Sequence, residues 1–358
     1  MSGPLADALA TLEGILGPGA PARCLRRCEI DDAADLVLTL ELPDGTRWFR
    51  TRGGRVIEIF PEDDESVPSA AALAARARAG RARILSWRPG RRIVARVDDE
   101  LGSRIQKGHR SKRFRGALAS HRAALERVDA DAFTVPLLLE TDPDQATLTF
   151  GILPGTPFEP GSATAADLTE IGRRISRLQQ SRCDDLPPHG RKDEVALLER
   201  AGLRAEKALG SLPGGWRSSA ARLEAWASRA PGRDVAAHRD LHDGQILVDG
   251  GRFGLLDFDL LARAERALDL ANLAVHVELR LLESSRSAPS LPEVVATEAL
   301  LEGAQARADP GFAEAFAYYR ASTALRLALL CAVRPFLSSS VAPMLARARA
   351  ALDEIERV

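Results

Sequence analysis

Residues 238–259 read HRDLHDGQILVDGGRFGLLDFD. The centre of this stretch is typical of a tight β-hairpin, because two short apolar runs flank the turn residues Asp249-Gly-Gly251. A hairpin returns the chain to where it started, so residues before its first strand lie beside residues after its second. We therefore expect Asp240 and Gln245 to lie next to Asp257 and Asp259 at one end of the hairpin.

The polar side chains at this hairpin end predict a metal site. Carboxylate and amide oxygens suit a hard cation such as Mg²⁺, which is held by few protein oxygens and by substrate phosphates. A carboxylate that stays off the metal could accept a proton from a substrate hydroxyl. The same residues could also do no more than cap neighbouring backbone groups, and their spacing alone leaves both interpretations open.

The order of residues in this stretch resembles a known family. His238-x-Asp240, an amide five residues later, a strand pair and Leu-Leu-Asp257-Phe resemble the catalytic and metal-binding loops of the protein-kinase-like superfamily. The local sequence is most similar to that of aminoglycoside-phosphotransferase-like kinases. The run Ala267-Leu-Asp269-Leu-Ala271 resembles the same family, in which such an aspartate supports the catalytic loop. The resemblance implies that Asp240 orients or deprotonates an acceptor hydroxyl and that Gln245 and Asp257 hold Mg²⁺. It leaves His238 and Asp259 in supporting positions.

The resemblance also implies nucleotide-binding residues. Kinase-like folds carry a lysine for the α- and β-phosphates on a strand that is followed by a helix. Lys107 ends the predicted strand Ser103–Lys107 and closely precedes a helical stretch. Farther along, a predicted strand leads into a Pro/Gly-rich segment that resembles the family's hinge, where backbone groups at Gly151 and Leu153 would meet adenine. An exposed lysine at a strand end is the plainer alternative for Lys107.

Two positions depart from the family pattern. Gln245 stands where asparagine is usual, and it offers the same oxygen on an arm one methylene longer. The helix after Lys107 has no glutamate at its centre, where Ser120 and His121 lie, so Glu126 near its end is the candidate partner for the lysine. A solvated surface charge is the alternative for Glu126.

The rest of the chain changes character at a Pro/Gly cluster, residues 153–161. Strands predominate before it, and beyond it helices are predicted at about 193–209, 217–229, 268–285, 293–308, 311–334 and 340–356. The prediction is an α+β, bilobal protein-kinase-like fold. Residues 1–80 form an extension or part of the amino-terminal lobe, residues 81–153 the nucleotide-binding lobe, and residues 154–358 a helical lobe with the catalytic and metal-binding loops.

The acceptor is predicted to be a small molecule. Only eleven residues separate Asp257 from Asp269, which leaves no room for a protein-kinase activation segment. The predicted function is therefore transfer of a phosphoryl group from ATP or another nucleoside triphosphate, with Mg²⁺, to an aminoglycoside-, sugar- or amino-alcohol-like hydroxyl. Asp259, Glu265 and Glu278 could face a cationic acceptor, although a solvated helix face is the preferred interpretation.

Two other functions stay open. Gln245 and the missing helix glutamate favour a nucleotide-binding pseudokinase or regulatory module. Alternating His238, Asp240 and His242, with carboxylates nearby, could form the zinc or di-metal centre of a metallohydrolase.

The composition excludes some partners. The chain has 358 residues, with 49 Lys plus Arg against 50 Asp plus Glu, so its formal net charge is −1. A near-neutral chain has no general electrostatic attraction for nucleic acid or anionic membrane, and neither is predicted as a partner. Four cysteines do not make a disulfide framework, and the start of the chain does not resemble a signal peptide, so a cytoplasmic location is expected. The oligomeric state stays undetermined.

Overall fold

The computed structural model describes residues 3–31, 35–100, 102–229, 232–284 and 291–357. The chain begins with two helices and a four-stranded antiparallel sheet in the order β1-β2-β3-β4: α1 (Pro4–Leu16), α2 (Ala20–Cys24), β1 (Leu25–Ile30), β2 (Leu36–Leu42), β3 (Gly45–Arg52) and β4 (Arg55–Ile59). The sheet has a small apolar core of its own, in which leucines of α1 pack against Leu38, Leu40 and Phe49. This sheet is separate from the other sheets of the chain, and Ala208 of the second half packs into its core.

A second antiparallel sheet has five strands in the order β5-β6-β7-β9-β8. It is preceded by α3 (Ala70–Arg78) and consists of β5 (Ala82–Arg88), β6 (Arg92–Asp99), β7 (Gly102–His109), β8 (Leu138–Asp142) and β9 (Thr147–Gly151), with α4 (Ser111–Arg127) between β7 and β8. Lys107 pairs with Val94 on one side and with Leu148 on the other, so it lies in the central strand.

The segment after β9 joins this sheet to the hairpin. β10 (Thr156–Pro157) pairs with β12 (Ile246–Asp249), which pairs antiparallel with β13 (Arg252–Leu255). Gly155 has φ +107°, and a Cβ there would lie 2.6 Å from the Val248 carbonyl oxygen. Only glycine combines this backbone conformation with so close an approach.

The second half of the chain is helical around α10. Its elements are α5 (Ala165–Leu178), α6 (Arg191–Leu209), α7 (Trp216–Trp226), β11 (Asp234–Ala237), β14 (Ala262–Glu265), α8 (Ala267–Ser284), α9 (Glu293–Ala304), α10 (Phe312–Ala332) and α11 (Val341–Ile355). α10 packs against α6, α7, α8 and α11, which explains why its sequence is apolar on nearly all sides. β11 and β14 form a two-stranded antiparallel pair that the sequence analysis did not predict.

The predicted fold class is confirmed at the level of a sheet-rich first half and a helical second half. The six helices predicted in the second half are present, with ends that differ by a few residues from those expected. Among the described residues, no helix is both long and apolar enough to cross a lipid bilayer.

Candidate active site

The loop between β11 and β12 is fixed by one buried carboxylate. Asp269, near the start of α8, is fully buried and accepts the backbone N–H groups of His238 and Arg239, each at 2.7 Å. Hydrogen bonds to an ionised acceptor are short and strong, so two of them at adjacent residues hold the loop against α8. Asp269 therefore occupies the supporting position that the family resemblance implies.

A second residue of α8 supports the same loop. Asn272 is buried and donates its side-chain N–H to the Arg239 carbonyl at 2.9 Å. Its oxygen accepts hydrogen bonds from Thr323 at 2.5 Å and Arg326 at 2.9 Å, which fixes the orientation of the amide. Arg239 has φ +71°, a left-handed conformation that needs such support. The sequence analysis missed Asn272, although a polar residue one turn after Asp269 in an apolar helix is a usable signal.

His238 joins the loop to the segment after the hairpin. Its Nε2 donates to the Leu256 carbonyl at 2.7 Å, and its ring packs against Phe258 at 5.0 Å between centroids. The side chain is completely buried. Its contacts are therefore with other parts of the protein, and the supporting role expected for it stays a prediction.

Asp240 differs from its neighbours because its side chain is exposed. The structure shows no hydrogen bond donated to this carboxylate by a described residue, while Arg92 and Arg239 interact with it electrostatically. A free, accessible carboxylate on a rigid loop can accept a proton from a bound hydroxyl.

Lys107, Arg92, Asp257 and Asp259 form a cation–carboxylate cluster between the five-stranded sheet and the hairpin. The Lys107 Nζ lies 2.8 Å from Asp257 and 2.7 Å from Asp259, and an Arg92 nitrogen lies 3.1 and 3.4 Å from the same two carboxylates. Lys107 is only 8% exposed. Burial alone would raise the pKa of Asp257, but Lys107 and Arg92 hold it well below its usual range. Arg92 was not predicted, because nothing in its local sequence separates it from neighbouring arginines.

The backbone of Gln245, and not its side chain, is hydrogen-bonded to the segment that precedes Asp257. Its carbonyl accepts the Leu256 N–H at 2.9 Å, as the hairpin requires. Its side-chain amide lies 3.3 Å from His242 Nε2, and the structure shows no contact between this amide and Asp257. Gln245 is therefore bonded to Leu256, the residue before Asp257, and the structure shows no hydrogen bond between the side chains of Gln245 and Asp257.

The structure does not bring Glu126 to Lys107. Glu126 has a 74% exposed side chain, and its ion pair is with the adjacent Arg127 at 3.5 Å. At the centre of α4, His121 is buried and hydrogen-bonds to the Pro136 carbonyl. The acidic partners of Lys107 are instead Asp257 and Asp259 of the segment after the hairpin, which packs against α4.

The predicted hinge residues lie where the five-stranded sheet meets the hairpin. The Gly151 N–H donates to the Leu137 carbonyl at 2.9 Å, which ties the end of β9 to the segment before β8. Leu153 packs over Gly254 of β13, where a Cβ would meet its Cδ1 at 2.9 Å. The backbone between Gly151 and Leu153 belongs to the segment that joins the five-stranded sheet to the hairpin.

Comparison with known proteins agrees with this geometry. Residues 81–287, more than half of the chain, match the model of the phosphotransferase enzyme family, APH. The chain belongs to this family. Membership confirms the predictions of an aminoglycoside-phosphotransferase-like protein and of a small-molecule kinase.

Solved structures show the same fold at low sequence identity. A choline/ethanolamine kinase family protein from Mesorhizobium loti is 17% identical with a TM-score of 0.54, over 80% of this chain and 95% of that one. An amicoumacin kinase is 17% identical with a TM-score of 0.55, over 77% and 88%. An aminoglycoside phosphotransferase from Streptomyces rimosus is 20% identical with a TM-score of 0.51, over 73% and 97%. None of the curated proteins matches the chain in sequence.

The metal-binding set expected of a metallohydrolase is not assembled in this phosphotransferase. Within the described part of the chain, the side chains close enough to share such an ion are His242, Asp243 and His276. Arg280 donates to Asp243 at 2.9 Å and already neutralises it, while His238 is bound to a backbone carbonyl. The alternating residues of the loop therefore do not face one centre.

His109, at the end of β7, makes the stability of this phosphotransferase sensitive to acid. Burial, together with Lys107 and Arg92, lowers the pKa of His109 to about 4, against an opposing effect of Asp259. In the unfolded chain His109 binds a proton near pH 6.5, whereas in the folded chain it does so only near pH 4. The contribution of neutral His109 to the free energy of unfolding is therefore fully present above pH 6.5 and is lost as the pH falls towards 4. We expect His109 to remove about 2 kcal/mol from the free energy of unfolding between pH 7 and pH 5.

Urea denaturation at both pH values measures this loss, and the His109 ring titration followed by NMR gives its pKa. The His109→Gln variant cannot titrate at this position and should show a smaller loss than the wild type. An unchanged pH dependence in that variant would contradict the assignment.

Proposed function

We propose that the protein transfers the γ-phosphoryl group of ATP to a hydroxyl of a small molecule with the help of Mg²⁺. The observation that carries the proposal is the arrangement of Lys107 against Asp257 and Asp259, with Asp240 exposed on a loop that is otherwise fixed. In the reaction, the acceptor oxygen bonds to the γ-phosphorus and the bond from that phosphorus to the ADP oxygen breaks. The hydroxyl proton passes to Asp240.

The donor set fits a divalent cation. Asp257 and Asp259 both contact the same Lys107 nitrogen and the same Arg92 nitrogen, so their oxygens lie close together. Hard carboxylate oxygens in this arrangement suit Mg²⁺. Asp257 and Asp259 would hold the ion, with the Gln245 amide as a further ligand once it leaves His242. The ion supplies neutralisation of phosphate charge when bound.

The cluster also explains how the site would accept nucleotide. Two cations and two carboxylates balance one another inside the protein, which avoids an unpaired buried charge. With Asp257 and Asp259 holding a divalent cation, Lys107 and Arg92 would be available for phosphate oxygens. One of the similar structures, the amicoumacin kinase, contains AMP-PNP and Ca²⁺, which supports the use of nucleotide and a divalent metal in this fold.

The remaining assignments follow from position. We place the nucleotide between the five-stranded sheet and the β12–β13 hairpin, with adenine against the backbone at Gly151 and Leu153. In this proposal residues 81–153 are the nucleotide-binding lobe and residues 154–358 the catalytic lobe of a bilobal enzyme. The names of the similar proteins include choline/ethanolamine, amicoumacin and aminoglycoside kinases, which supports a small acceptor.

Replacing Lys107 by alanine tests the nucleotide assignment. The variant loses the cation that would contact phosphate oxygens, so we expect kcat/KM for ATP to fall about 100-fold. ADP release with Mg²⁺–ATP over a panel of hydroxylated acceptors measures it. Lys112→Ala, which removes an exposed lysine of α4, is the matched control and should keep wild-type values. A Lys107→Ala enzyme with an unaltered kcat/KM would remove the lysine from the site.

A nucleotide-binding module without turnover is the second candidate. It is favoured by the Gln245 side chain, which contacts His242, and by the absence of an acidic partner for Lys107 from the described α4 residues. Such a module would show ATP-dependent thermal stabilisation and no ADP release with any acceptor. Gln245→Asn would then be the variant most able to restore turnover.

A further inference from the structure

A pocket lined by arginines lies between the amino-terminal strands and the helices of the second half of the chain. It has a volume of about 350 Å³ and is enclosed by β1, the turn between β5 and β6, α6 and the end of α10. Six basic side chains line it, and together they define the arginine pocket: Arg27, Arg88, Arg91, Arg204, Arg326 and Arg334.

The described residues of the protein balance only part of the positive charge of the arginine pocket. Glu29, the one acidic residue among the described lining residues, accepts a hydrogen bond from Arg88, and Arg326 lies 3.8 Å from Glu194. Arg27 and Arg334 are half-buried, and their guanidinium groups form no hydrogen bond or salt bridge with any residue that the structure describes. Burial and the neighbouring Arg88 and Arg334, against an opposing effect of Glu29, lower the pKa of Arg27 to about 10. Half-buried guanidinium groups without an acidic partner are suited to an oxyanion from outside.

The arginine pocket is connected to the catalytic loop by a short chain of contacts. Arg326, on its wall, donates to the Asn272 oxygen at 2.9 Å, and Asn272 donates to the Arg239 carbonyl next to Asp240. On the opposite wall, Arg91 immediately precedes Arg92 of the cation–carboxylate cluster. A ligand in this pocket would therefore be linked through Arg326 and Asn272 to the loop that carries Asp240, and Arg27 of the pocket also senses the charge of Arg92 in the cluster.

The acids that could attract a cationic acceptor are neutralised elsewhere. Glu265 is 2% exposed and is bound by Arg191, while Glu278 is equally buried and is bound by Arg320 at 3.0 Å. Neither lines the arginine pocket. The expectation that these two residues could face a cationic acceptor is therefore wrong, because both are internal ion-pair partners.

Two walls of the arginine pocket come from outside the family match. β1 and the end of α10 lie beyond residues 81–287, so the family resemblance gives no assignment to Arg27 and Arg334. The amino-terminal extension thus contributes a basic wall next to a site that the rest of the chain shares with its family.

We propose that the arginine pocket binds an oxyanion group of the acceptor, so that the substrate is a hydroxylated small molecule carrying a phosphate ester or a carboxylate. This inference rests on the proposed function and adds its substrate class. Arg27 and Arg334 are specificity-determining residues that contact the anion, and Arg326 joins the same pocket to the loop that carries Asp240.

Calorimetric titration of the full chain tests the pocket without any turnover. Inorganic phosphate and malonate serve as separate probes, which distinguishes a phosphate site from a carboxylate site. Because phosphate could also bind at the nucleotide site, the titration is repeated with Lys107→Ala. We expect Lys107→Ala still to bind the probe. In the double variant Arg27→Gln/Arg334→Gln, we expect the affinity for the probe to fall roughly 30-fold. Arg27→Lys/Arg334→Lys keeps both charges and should retain most of the affinity, which separates a lost charge from a lost fold.

Turnover then tests the acceptor class. ADP release is compared for sugars and polyols, their phosphate monoesters and the corresponding sugar acids. We expect turnover with an anionic series and a roughly 30-fold rise in its KM in Arg27→Gln/Arg334→Gln, with a much smaller change in kcat. Arg200→Gln, an exposed arginine of α6 outside the pocket, is the matched control.

The outcomes separate the two proposals. Absence of probe binding to the wild type, or full binding by the glutamine double variant, overturns the arginine pocket as an anion site. Anion binding with turnover of neutral or cationic acceptors alone overturns the acceptor class. Anion binding at the pocket with no ADP release from any acceptor overturns the proposed function, and the acceptor assignment with it.

Discussion

The Asp240→Asn variant is expected to lose about 10³-fold in kcat while remaining folded. Asp240 is the proposed proton acceptor for the substrate hydroxyl, and asparagine of the same shape cannot take a proton. The side chain is exposed and makes no hydrogen bond with a described residue, so its loss should leave the free energy of unfolding within about 0.5 kcal/mol of wild type. ADP release and urea denaturation measure the two quantities on the same preparation.

Asp249→Asn is the matched control for this experiment. Asp249 is an exposed aspartate at the turn of the same hairpin, away from the loop that Asp269 fixes. It should keep wild-type kcat and stability. Wild-type turnover in Asp240→Asn would refute the assignment of the base, and a large loss of stability would show that Asp240 has a structural role that its exposure does not suggest.

The Arg191→Met variant is expected to lose about 3–5 kcal/mol of unfolding free energy at pH 7. Arg191 makes two hydrogen bonds to Glu265 at 2.9 and 3.0 Å and one to Glu314 at 2.7 Å. Glu265 is buried, and among the residues that the structure describes it keeps only the Tyr319 hydroxyl and the Gly232 N–H as hydrogen-bond donors without Arg191. Removing one member of a buried pair leaves the other charge uncompensated, which is why the loss exceeds that of an ordinary ion pair.

The pH dependence of this loss gives an independent check. Burial alone would raise the pKa of Glu265, but its hydrogen bonds, first among them those from Arg191, hold it below its usual range. In the wild type this pair therefore stabilises the fold above the unfolded pKa, and the contribution is lost as the pH falls through the folded pKa. In Arg191→Met the pKa rises, so acid should neutralise Glu265 and reduce the deficit.

Two further variants complete the stability experiment. Arg191→Met/Glu265→Gln should recover part of the loss, because it removes the uncompensated charge. Arg173→Met breaks an exposed pair with Glu170 and should change stability by no more than about 0.5 kcal/mol. A deficit for Arg191→Met as small as that of Arg173→Met would show that the buried pair contributes little.

Much of the candidate site could be predicted because its signals are local. The hairpin needs only two short apolar runs around Asp249-Gly-Gly251, and its antiparallel register places Gln245 beside Leu256 without reference to the rest of the chain. The helices of the second half follow from apolar spacing in the same way. The residue pattern around Asp240 and Asp269 then carried the family resemblance that membership confirms.

Other features depend on pairing that has no local signal. β11 and β14 have alanine-rich sequences of low strand propensity, and they are strands because each pairs with the other. β1 was missed for a related reason: arginines interrupt its apolar alternation, and its partner β2 supplies the hydrogen bonds. The sequence analysis named Glu126 as partner of Lys107 because it considered only the adjacent helix.

By itself, therefore, the amino-acid sequence determined the fold class, the family and the loop that carries Asp240, because periodicity and short motifs act over a few residues. The tertiary structure alone decided which charges meet: Asp257 and Asp259 at Lys107, Arg191 at Glu265, and the arginines of β1 and α10 around one pocket. The physical reason is that Coulombic partners are chosen by distance in space, and a chain rich in arginine offers many equivalent partners until packing brings particular ones together.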